Sequence, residues 1–211
     1  MRQMSFGSGN LTGAPGIMPA TRGSSLRQLM AQKNPGEVVR ILEVHNGLTA
    51  LIAEHVTATR PDGEVVSFDG MWSSSLTASA SKGKPDIETV DTSQRLQLAQ
   101  DSLDVSTKPM IYDADTGGLP EIFHFTVRAL EAMGVSAAII EDKTGLKQNS
   151  LFGTDRKQQL DPIPDFQRKI RVGQAAKRTE DFMIVARLEA LIAGVQDCVP
   201  SSFLALEGVA G

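Results

Sequence analysis

Short, continuous apolar runs alternate along the chain with longer stretches in which apolar residues recur at helical spacing. Five runs predict strands, at 37–44, 68–75, 108–115, 135–142 and 181–191. Five stretches predict helices, at 24–34, 46–56, 92–105, 120–134 and 163–177. Strands that are apolar on both faces and separated by helices are typical of a parallel sheet with helices on its faces. The pattern therefore predicts an α/β fold.

Three other segments do not follow this alternation. Residues 58–68, ATRPDGEVVSF, predict an inserted hairpin with its turn at PDG. A Ser-rich stretch after the second strand predicts a long loop up to about Glu88. Residues 1–24 are rich in Gly, Ser and Pro, and they predict a flexible segment without a signal-peptide core.

Composition and charge narrow the function classes. The chain has 211 residues and a net charge of −4, which gives no indication of nucleic-acid binding. No apolar run in the sequence approaches the roughly 20 residues that span a bilayer. A single cysteine, Cys198, excludes an internal disulfide framework and a Cys-based zinc cluster. We therefore expect a cytoplasmic protein, with neither nucleic acid nor a membrane as partner.

Charged side chains follow three of the predicted strands. Asp113 and Asp115 follow PMIY, Glu141 and Asp142 follow AAII, and Arg187 follows MIVA. The C-terminal strand ends form the active site of a β/α barrel, and a doubly wound sheet also places ligands there. The sequence contains no GxGxxG motif and no phosphate-binding GxxxxGK motif, which weakens the case for a nucleotide-binding sheet.

The acidic residues predict a magnesium site. Asp113 and Asp115 are two apart on a strand, so their side chains point the same way. Like charges this close raise each other's pKa unless a cation intervenes, and Mg²⁺ prefers carboxylates together with retained waters. Glu141 and Asp86 bring the number of candidate carboxylates to four. For DADTGG alone, an Asx turn before the two glycines explains the spacing equally well.

A long polar stretch, KTGLKQNSLFG, follows the fourth predicted strand at residues 143–153. Loops of this length are often functional lids, and Lys147, Asn149 and Ser150 suit a phosphate or a carboxylate; an ordinary surface loop is the alternative. Before it, Glu141 and Asp142 point to opposite faces of the strand, so one can enter a cavity while the other pairs with Lys143.

The remaining candidate residues are Arg187, Trp72 and the three histidines. Arg187 follows an apolar strand, and its guanidinium is expected in the cavity with Glu189 or a substrate anion as partner. Trp72 lies beside a serine run and fits either the core or a ligand contact. The three histidines show no metal-binding spacing and are interpreted as structural or surface residues.

Four stretches together resemble phosphoenolpyruvate mutase, of the isocitrate lyase and phosphoenolpyruvate mutase superfamily. They are FDGMWSSSLTASASKGKPD, YDADTGG, IIEDKTGLKQNSLFG and DFMIVARLEALIAG, and they match in order from about Ser25 to Gly194. The resemblance implies a (β/α)8 TIM-barrel-type fold and Mg²⁺ as the cofactor. It also implies an isomerase that interconverts phosphoenolpyruvate and 3-phosphonopyruvate, the entry step to phosphonate biosynthesis.

The resemblance also implies roles for individual residues. Asp113 resembles the direct Mg²⁺ ligand, and Asp86, Asp115 and Glu141 resemble carboxylates that reach the metal through water. The catalytic residues implied are Asp86, Lys147, Asn149 and Arg187. The substrate-binding residues implied are Trp72, Ser74, Ser75, Leu76 and Ser150.

Three alternatives to the mutase differ in how well they agree with the sequence. The carbon–carbon lyases of the superfamily use a lid cysteine, which KTGLKQNS lacks. Phosphonopyruvate hydrolase is a closer alternative, although Asn149 resembles the mutase lid. A catalytically inactive barrel that only binds or assembles is the alternative from another class.

The resemblance also implies that part of the barrel is missing. A complete barrel takes roughly 250 residues, whereas the pattern here gives five strand–helix units, at 25–194, followed by an atypical tail at 195–211. We therefore expect a barrel truncated after about five units, with poor turnover on its own. The relatives imply a homo-oligomer for a full-length protein.

Overall fold

Five parallel strands form the central sheet in the computed structural model, which describes residues 18–144, 147, 158–190 and 193. The strands are β1 (Ile41–Val44), β4 (Gly70–Ser73), β5 (Met110–Asp113), β6 (Ala137–Glu141) and β9 (Met183–Arg187). They lie in the order β1-β4-β5-β6-β9, so each strand pairs with the one that precedes it in this series. This arrangement confirms the predicted α/β fold with parallel strands.

The described helices are α1 (Pro19–Gln32), α2 (Gly47–His55), α3 (Ser75–Ser81), α4 (Thr92–Leu103), α5 (Pro120–Met133) and α6 (Ile163–Ala176). Side chains cap several of them: Asn46 forms a capping box with Thr49, and Asp91 accepts from the Gln94 amide. Helix α5 ends at its C-terminal cap residue Gly134, which adopts the left-handed conformation with φ 86°. None of the described helices has the length and apolar character needed to cross a membrane.

Two short antiparallel ribbons stand outside the central sheet. The first pairs β2 (Thr57–Thr59) with β3 (Val65–Ser67), which confirms the hairpin predicted around PDG. The second pairs β7 (Lys143–Thr144), at the start of the predicted lid segment, with β8 (Gln159–Leu160), which lies beyond the end of that segment.

The hydrophobic core lies between one face of the sheet and the helices. Side chains of one strand face are fully buried there, among them Met71, Met110 and Ile140, and they pack with Phe123 and Val127 of α5. Gly173 permits this packing, because a Cβ at that position would lie 2.4 Å from the Phe123 ring.

The opposite face of the sheet carries the polar strand ends. Side chains alternate along a strand, and paired residues of neighbouring strands share a face. The pairing therefore places Trp72, Asp113, Glu141 and Arg187 on one face. The described part of the chain leaves this face partly open, since Val185 is 38% exposed.

Two local expectations were wrong. The Ser-rich stretch after β4 is not a continuous loop, because residues 75–81 form α3, whose start Ser74 caps by accepting from the Thr77 amide. The first helix begins at Pro19 rather than near residue 24, so the segment predicted as flexible is helical from 19 onward. Arg22 anchors this first turn by donating to the main-chain oxygens of Leu103 and Ser106, 3.0 Å from each.

Candidate active site

Three strand ends carry the polar residues of the candidate site. Asp113 is the last residue of β5, Glu141 the last of β6 and Arg187 the last of β9. Because these strands are parallel, their last residues meet at the same edge of the sheet, and Glu141 pairs directly with Arg187 in register. The strand-end positions predicted from the sequence therefore lie together.

Asp113 is held by hydrogen bonds from two neighbouring segments. Its Oδ2 accepts from the Ser75 hydroxyl at 2.9 Å and from the Ser75 amide at 3.4 Å, and its Oδ1 accepts from the Asp115 amide at 3.1 Å. Burial raises the pKa of Asp113, but the charges of Lys147 and Arg95 outweigh burial and lower the pKa below its usual value. Asp113 is therefore an ionised, oriented carboxylate.

Asp115 lies between two cations. Its Oδ2 accepts from the guanidinium of Arg95, and its Oδ1 accepts from the ammonium of Lys147. Burial raises the pKa of Asp115, and the neighbouring Asp113 adds to that rise, while the two cations act in the opposite direction. The residue adopts a left-handed backbone with φ 56°, a conformation that Asp tolerates better than most residues.

Lys147, from the lid sequence, contacts residues beside the strand ends. Its ammonium donates to the Ser75 hydroxyl at 2.9 Å and to the Asp86 carboxylate at 3.3 Å, in addition to Asp115. Burial lowers the pKa of Lys147, but the carboxylates of Asp115 and Asp113 outweigh it and raise the pKa above its usual value. The other two predicted lid residues, Asn149 and Ser150, lie outside the described residues.

Glu141 is buried beside two cations. Its Oε2 lies 3.4 Å from the ammonium of Lys143 and 3.4 Å from Nη1 of Arg187. No hydrogen-bond donor among the described residues reaches its buried Oε1. Burial raises the pKa of Glu141, against the charges of Lys147 and Lys143. One carboxylate oxygen thus remains available to a further cation or donor.

We expected one of Glu141 and Asp142 to enter the cavity and the other to pair with Lys143, but Glu141 both lies beside Arg187 in the site and pairs with Lys143. Lys143 pairs with Glu141 and with Glu189, whose Oε2 is 3.5 Å away, whereas Asp142 accepts from the main-chain amide of Glu189 at 2.8 Å. Lys143 is buried in β7, which directly follows β6, and its ammonium lies on the same side as the Glu141 carboxylate.

Arg187 lies at the polar edge of the sheet, with its side chain 34% exposed. It pairs with Glu189, one of the two partners proposed for it, and with Glu141. A guanidinium that is held by two carboxylates and still reaches solvent is placed to contact an anionic ligand.

The residues assigned to the substrate carboxylate surround the start of α3. Ser74 is the N-cap residue, Ser75 and Leu76 begin the helix, and Trp72 precedes them on β4. The Ser74 hydroxyl already caps the Thr77 amide, and the Ser75 hydroxyl contacts Asp113 and Lys147. In this arrangement, both hydroxyls have protein partners.

The oxygen donors of the site fit Mg²⁺, although they do not form a complete set of direct metal ligands. Within the part of the chain that the structure describes, no three Asp, Glu, His or Cys side chains converge as metal ligands. The carboxylates of Asp86, Asp113, Asp115 and Glu141 nevertheless act on one ammonium, that of Lys147. Carboxylate oxygens gathered around one cation, together with a buried Glu141 oxygen that no donor among the described residues reaches, suit a metal bound through few direct ligands and several waters.

The sequence analysis missed Arg95, which lies on α4. The buried positions of this helix are Arg95, Ala99, Ser102 and Leu103, at helical spacing. That periodicity was available in the sequence, and it places the arginine on the face that packs against the protein. Only the structure shows that the guanidinium ends at Asp115.

Comparison with known proteins identifies the family. The family model for phosphoenolpyruvate phosphomutase matches residues 26–202. The chain belongs to this family. It is 37% identical to the phosphonopyruvate hydrolase of Variovorax sp. (strain Pal2) over 168 residues, which cover 79% of this chain and 54% of the relative. It is 36% identical to the phosphoenolpyruvate phosphomutase of Tetrahymena pyriformis over 155 residues, which cover 73% of this chain and 48% of the relative.

Solved structures of the superfamily share the fold. The phosphoenolpyruvate phosphomutase from Streptomyces platensis subsp. rosaceus matches with a TM-score of 0.76 and 35% identity, over 89% of this chain and 60% of that one. A phosphonopyruvate hydrolase in complex with oxalate and Mg²⁺ matches with a TM-score of 0.72 and 33% identity, over the same shares. The parallel sheet thus corresponds to the TIM-barrel-type fold of these family members, and the chain spans about half the length of the curated relatives.

Proposed function

We propose that the chain carries the site of a Mg²⁺-dependent phosphoenolpyruvate mutase, which interconverts phosphoenolpyruvate and 3-phosphonopyruvate in phosphonate biosynthesis. The supporting observation is that Lys147, from a lid sequence without cysteine, donates to the carboxylates of Asp86 and Asp115. A lid that carries a cation to an acidic site is suited to a substrate with a carboxylate at one end and a phosphoryl group at the other.

In this reaction the phosphoryl group moves within one molecule. The carbon–phosphorus bond of phosphonopyruvate breaks, and an oxygen–phosphorus bond forms at the enolate oxygen of the same pyruvate unit. The transition state of phosphoryl transfer is loose, so it requires positioning and charge neutralisation more than covalent help. We therefore assign each residue of the site a role in positioning the substrate or in neutralising its charge.

Asp113 would hold Mg²⁺ directly, with Asp86, Asp115 and Glu141 holding its waters. The bound ion would supply positive charge to the carboxylate and enolate oxygens of the substrate. Arg187 would contact the substrate oxygens, while Trp72 and the α3 start, with Ser74, Ser75 and Leu76, would hold the substrate carboxylate. Lys147, Asn149 and Ser150 would cover the phosphoryl group and exclude the water that would otherwise trap it as phosphate.

Phosphonopyruvate hydrolase is the second candidate. Relatives of both activities are similar to this chain, at 37% identity for a hydrolase and 36% for a mutase, so identity does not decide between them. Asn149 in the lid supports the mutase. The carbon–carbon lyases are less similar, at 26% for the 2-methylisocitrate lyase of Escherichia coli, and the missing lid cysteine is a further argument against that activity.

The proposal is tested by incubating the chain with phosphonopyruvate and Mg²⁺ and identifying the products by ³¹P NMR. We expect phosphoenolpyruvate to form slowly, in line with the poor turnover expected of this chain on its own. We expect the Asp113→Asn variant to form none, while Asp101→Asn, a change at an exposed position on α4, leaves that slow turnover unchanged. Inorganic phosphate as the main product would replace the mutase by the hydrolase. Binding of Mg²⁺ and oxalate without any turnover would contradict an enzyme and favour a barrel that only binds or assembles.

A further inference from the structure

Arg95 is a buried residue of α4 whose guanidinium contacts Tyr112, Asp113 and Asp115. One guanidinium nitrogen donates to Oδ2 of Asp115, and the other donates to the main-chain oxygen of Asp113. The guanidinium carbon lies 4.8 Å from the centroid of the Tyr112 ring, within cation–π range. The side chain is only 5% exposed, so α4 carries a buried cation whose contacts all lie at the end of β5.

These contacts fix the conformation of the turn that carries the two aspartates. Asp115 has a left-handed backbone, its amide donates to Asp113, and its main-chain oxygen accepts from the Glu141 amide at 2.9 Å. A planar guanidinium donates in fixed directions, so it can set a carboxylate and a carbonyl relative to each other. Lysine has no such fork, because its ammonium is a single point charge.

The two cations on Asp115 come from different parts of the fold. Arg95 belongs to a helix that packs within the body of the protein, whereas Lys147 belongs to the lid sequence. With Oδ2 held by Arg95, Oδ1 is the oxygen that faces the position of the Lys147 ammonium. Arg95 thus contacts Oδ2 of Asp115, while Oδ1 faces the other side chains of the site.

We propose that Arg95 is a positioning residue of the metal site, which holds Asp115 by one oxygen and the Asp113 carbonyl so that their remaining oxygens face the bound cation. This inference rests on the proposed function, because it assumes that the carboxylates bind a divalent cation. Arg95 acts through Asp115 and Asp113, and it contacts neither metal nor substrate.

The sign of the mutational effect separates positioning from charge. As a positive charge near the site, Arg95 repels a divalent cation, so its charge alone would make the Arg95→Met variant bind metal more tightly. If positioning dominates, the same variant binds metal more weakly. Loss of a partner that orients a metal ligand typically costs about 10–100-fold in affinity.

The experiment measures Mn²⁺ binding to the whole chain by electron paramagnetic resonance, with Mg²⁺ competition. We expect Arg95→Met to weaken binding about 10–100-fold and Arg95→Lys, which keeps the charge and loses the fork, to weaken it as well. The matched control is Arg22→Met, since Arg22 is a second buried arginine that donates to main-chain oxygens away from the site. It should bind Mn²⁺ as the wild type does, even with reduced stability.

A double variant tests whether Arg95 acts through Asp115. If it does, adding Arg95→Met to Asp115→Asn should weaken binding further by less than the single Arg95→Met change does. Circular dichroism checks the fold of each variant, and Arg95→Lys gives the answer if Arg95→Met does not fold. Equal or tighter binding by the Arg95 variants, with normal binding by the wild type, would overturn this inference alone. No Mn²⁺ binding by the wild type would overturn the proposed function and the inference with it.

Discussion

The Lys147 ammonium lies 3.3 Å from the Asp86 carboxylate, although 61 residues separate the two along the chain. Together with Asp115, this contact places a lid cation among carboxylates that also suit a metal ion. A lysine and a divalent cation attracted by the same oxygens oppose each other's binding, because like charges repel at short range. We therefore expect Lys147 of the lid and a bound metal ion each to weaken the binding of the other.

Replacing Lys147 by Met should strengthen metal binding. The variant keeps a side chain of similar length and removes the competing charge, so we expect Mn²⁺ affinity to rise at least about tenfold, equivalent to about 1.4 kcal/mol. The exposed Lys82, just past the end of α3, provides the control, and Lys82→Met should not alter Mn²⁺ binding. Weaker binding by Lys147→Met would show that Lys147 supports the metal instead.

Replacing Arg187 by Met should weaken binding of an anionic ligand without removing the metal. Charge-assisted hydrogen bonds contribute about 1.5–3 kcal/mol, so we expect oxalate affinity at saturating Mg²⁺ to fall about 10–100-fold by calorimetry. Arg187→Lys should be intermediate, because it lacks the planar fork. The exposed Arg168, paired with Glu121, is the control residue. Unchanged oxalate affinity in Arg187→Met would remove Arg187 from the substrate site.

Glu54 should make stability depend on pH in the acid range. Its carboxylate accepts from the hydroxyls of Ser106 and Thr107 at 2.7 Å each and from the Thr107 amide at 3.1 Å. Burial raises the pKa of Glu54, but these hydrogen bonds outweigh it and lower the pKa below the ordinary 4.5. A lowered pKa means that the stabilisation is complete above the unfolded-state pKa and is lost as pH falls through the folded-state pKa.

Urea unfolding at pH 7 and near pH 3 tests this. We expect Glu54→Gln to lower the free energy of unfolding at pH 7 by about 1 kcal/mol, a modest value because the group is partly exposed. The difference between variant and wild type should shrink at the lower pH, because protonation of Glu54 removes the stabilisation as pH falls toward its folded-state pKa. Glu64→Gln in the exposed hairpin is the control. A difference that is the same at both pH values would contradict the assignment.

Gly134 should be intolerant of a side chain for two reasons. It has φ 86°, and a Cβ there would lie 2.7 Å from Cα and 2.8 Å from the main-chain oxygen of Pro19 at the start of α1. We expect Gly134→Ala to lower the free energy of unfolding by more than about 2 kcal/mol. Gly36→Ala has a similar φ of 91° with no atom nearby, so it should cost only about 1 kcal/mol. Fluorescence of Trp72, the single tryptophan, follows unfolding, and equal costs would contradict a role for the Pro19 contact.

Much of the fold was predictable, because buried parallel strands appear as continuous apolar runs. The runs at PMIY and AAII became β5 and β6, and the residues after them came to one edge of the sheet because parallel strands end together. Residues 75–81 were less predictable. SLTASAS has weak helix propensity, and it forms α3 because Ser74 caps it and three of its residues are buried in the folded protein.

The sequence by itself determined the order of strands and helices, the family, and the acidic positions Asp113, Asp115 and Glu141, since each follows from local pattern or motif. Only the tertiary structure decided which cation meets which carboxylate. It brought Arg95 to Asp115 from α4 and paired Lys143 with Glu141. The physical reason is that ion pairs form between groups that packing brings together, and spacing along the chain does not fix the direction of a side chain across a fold.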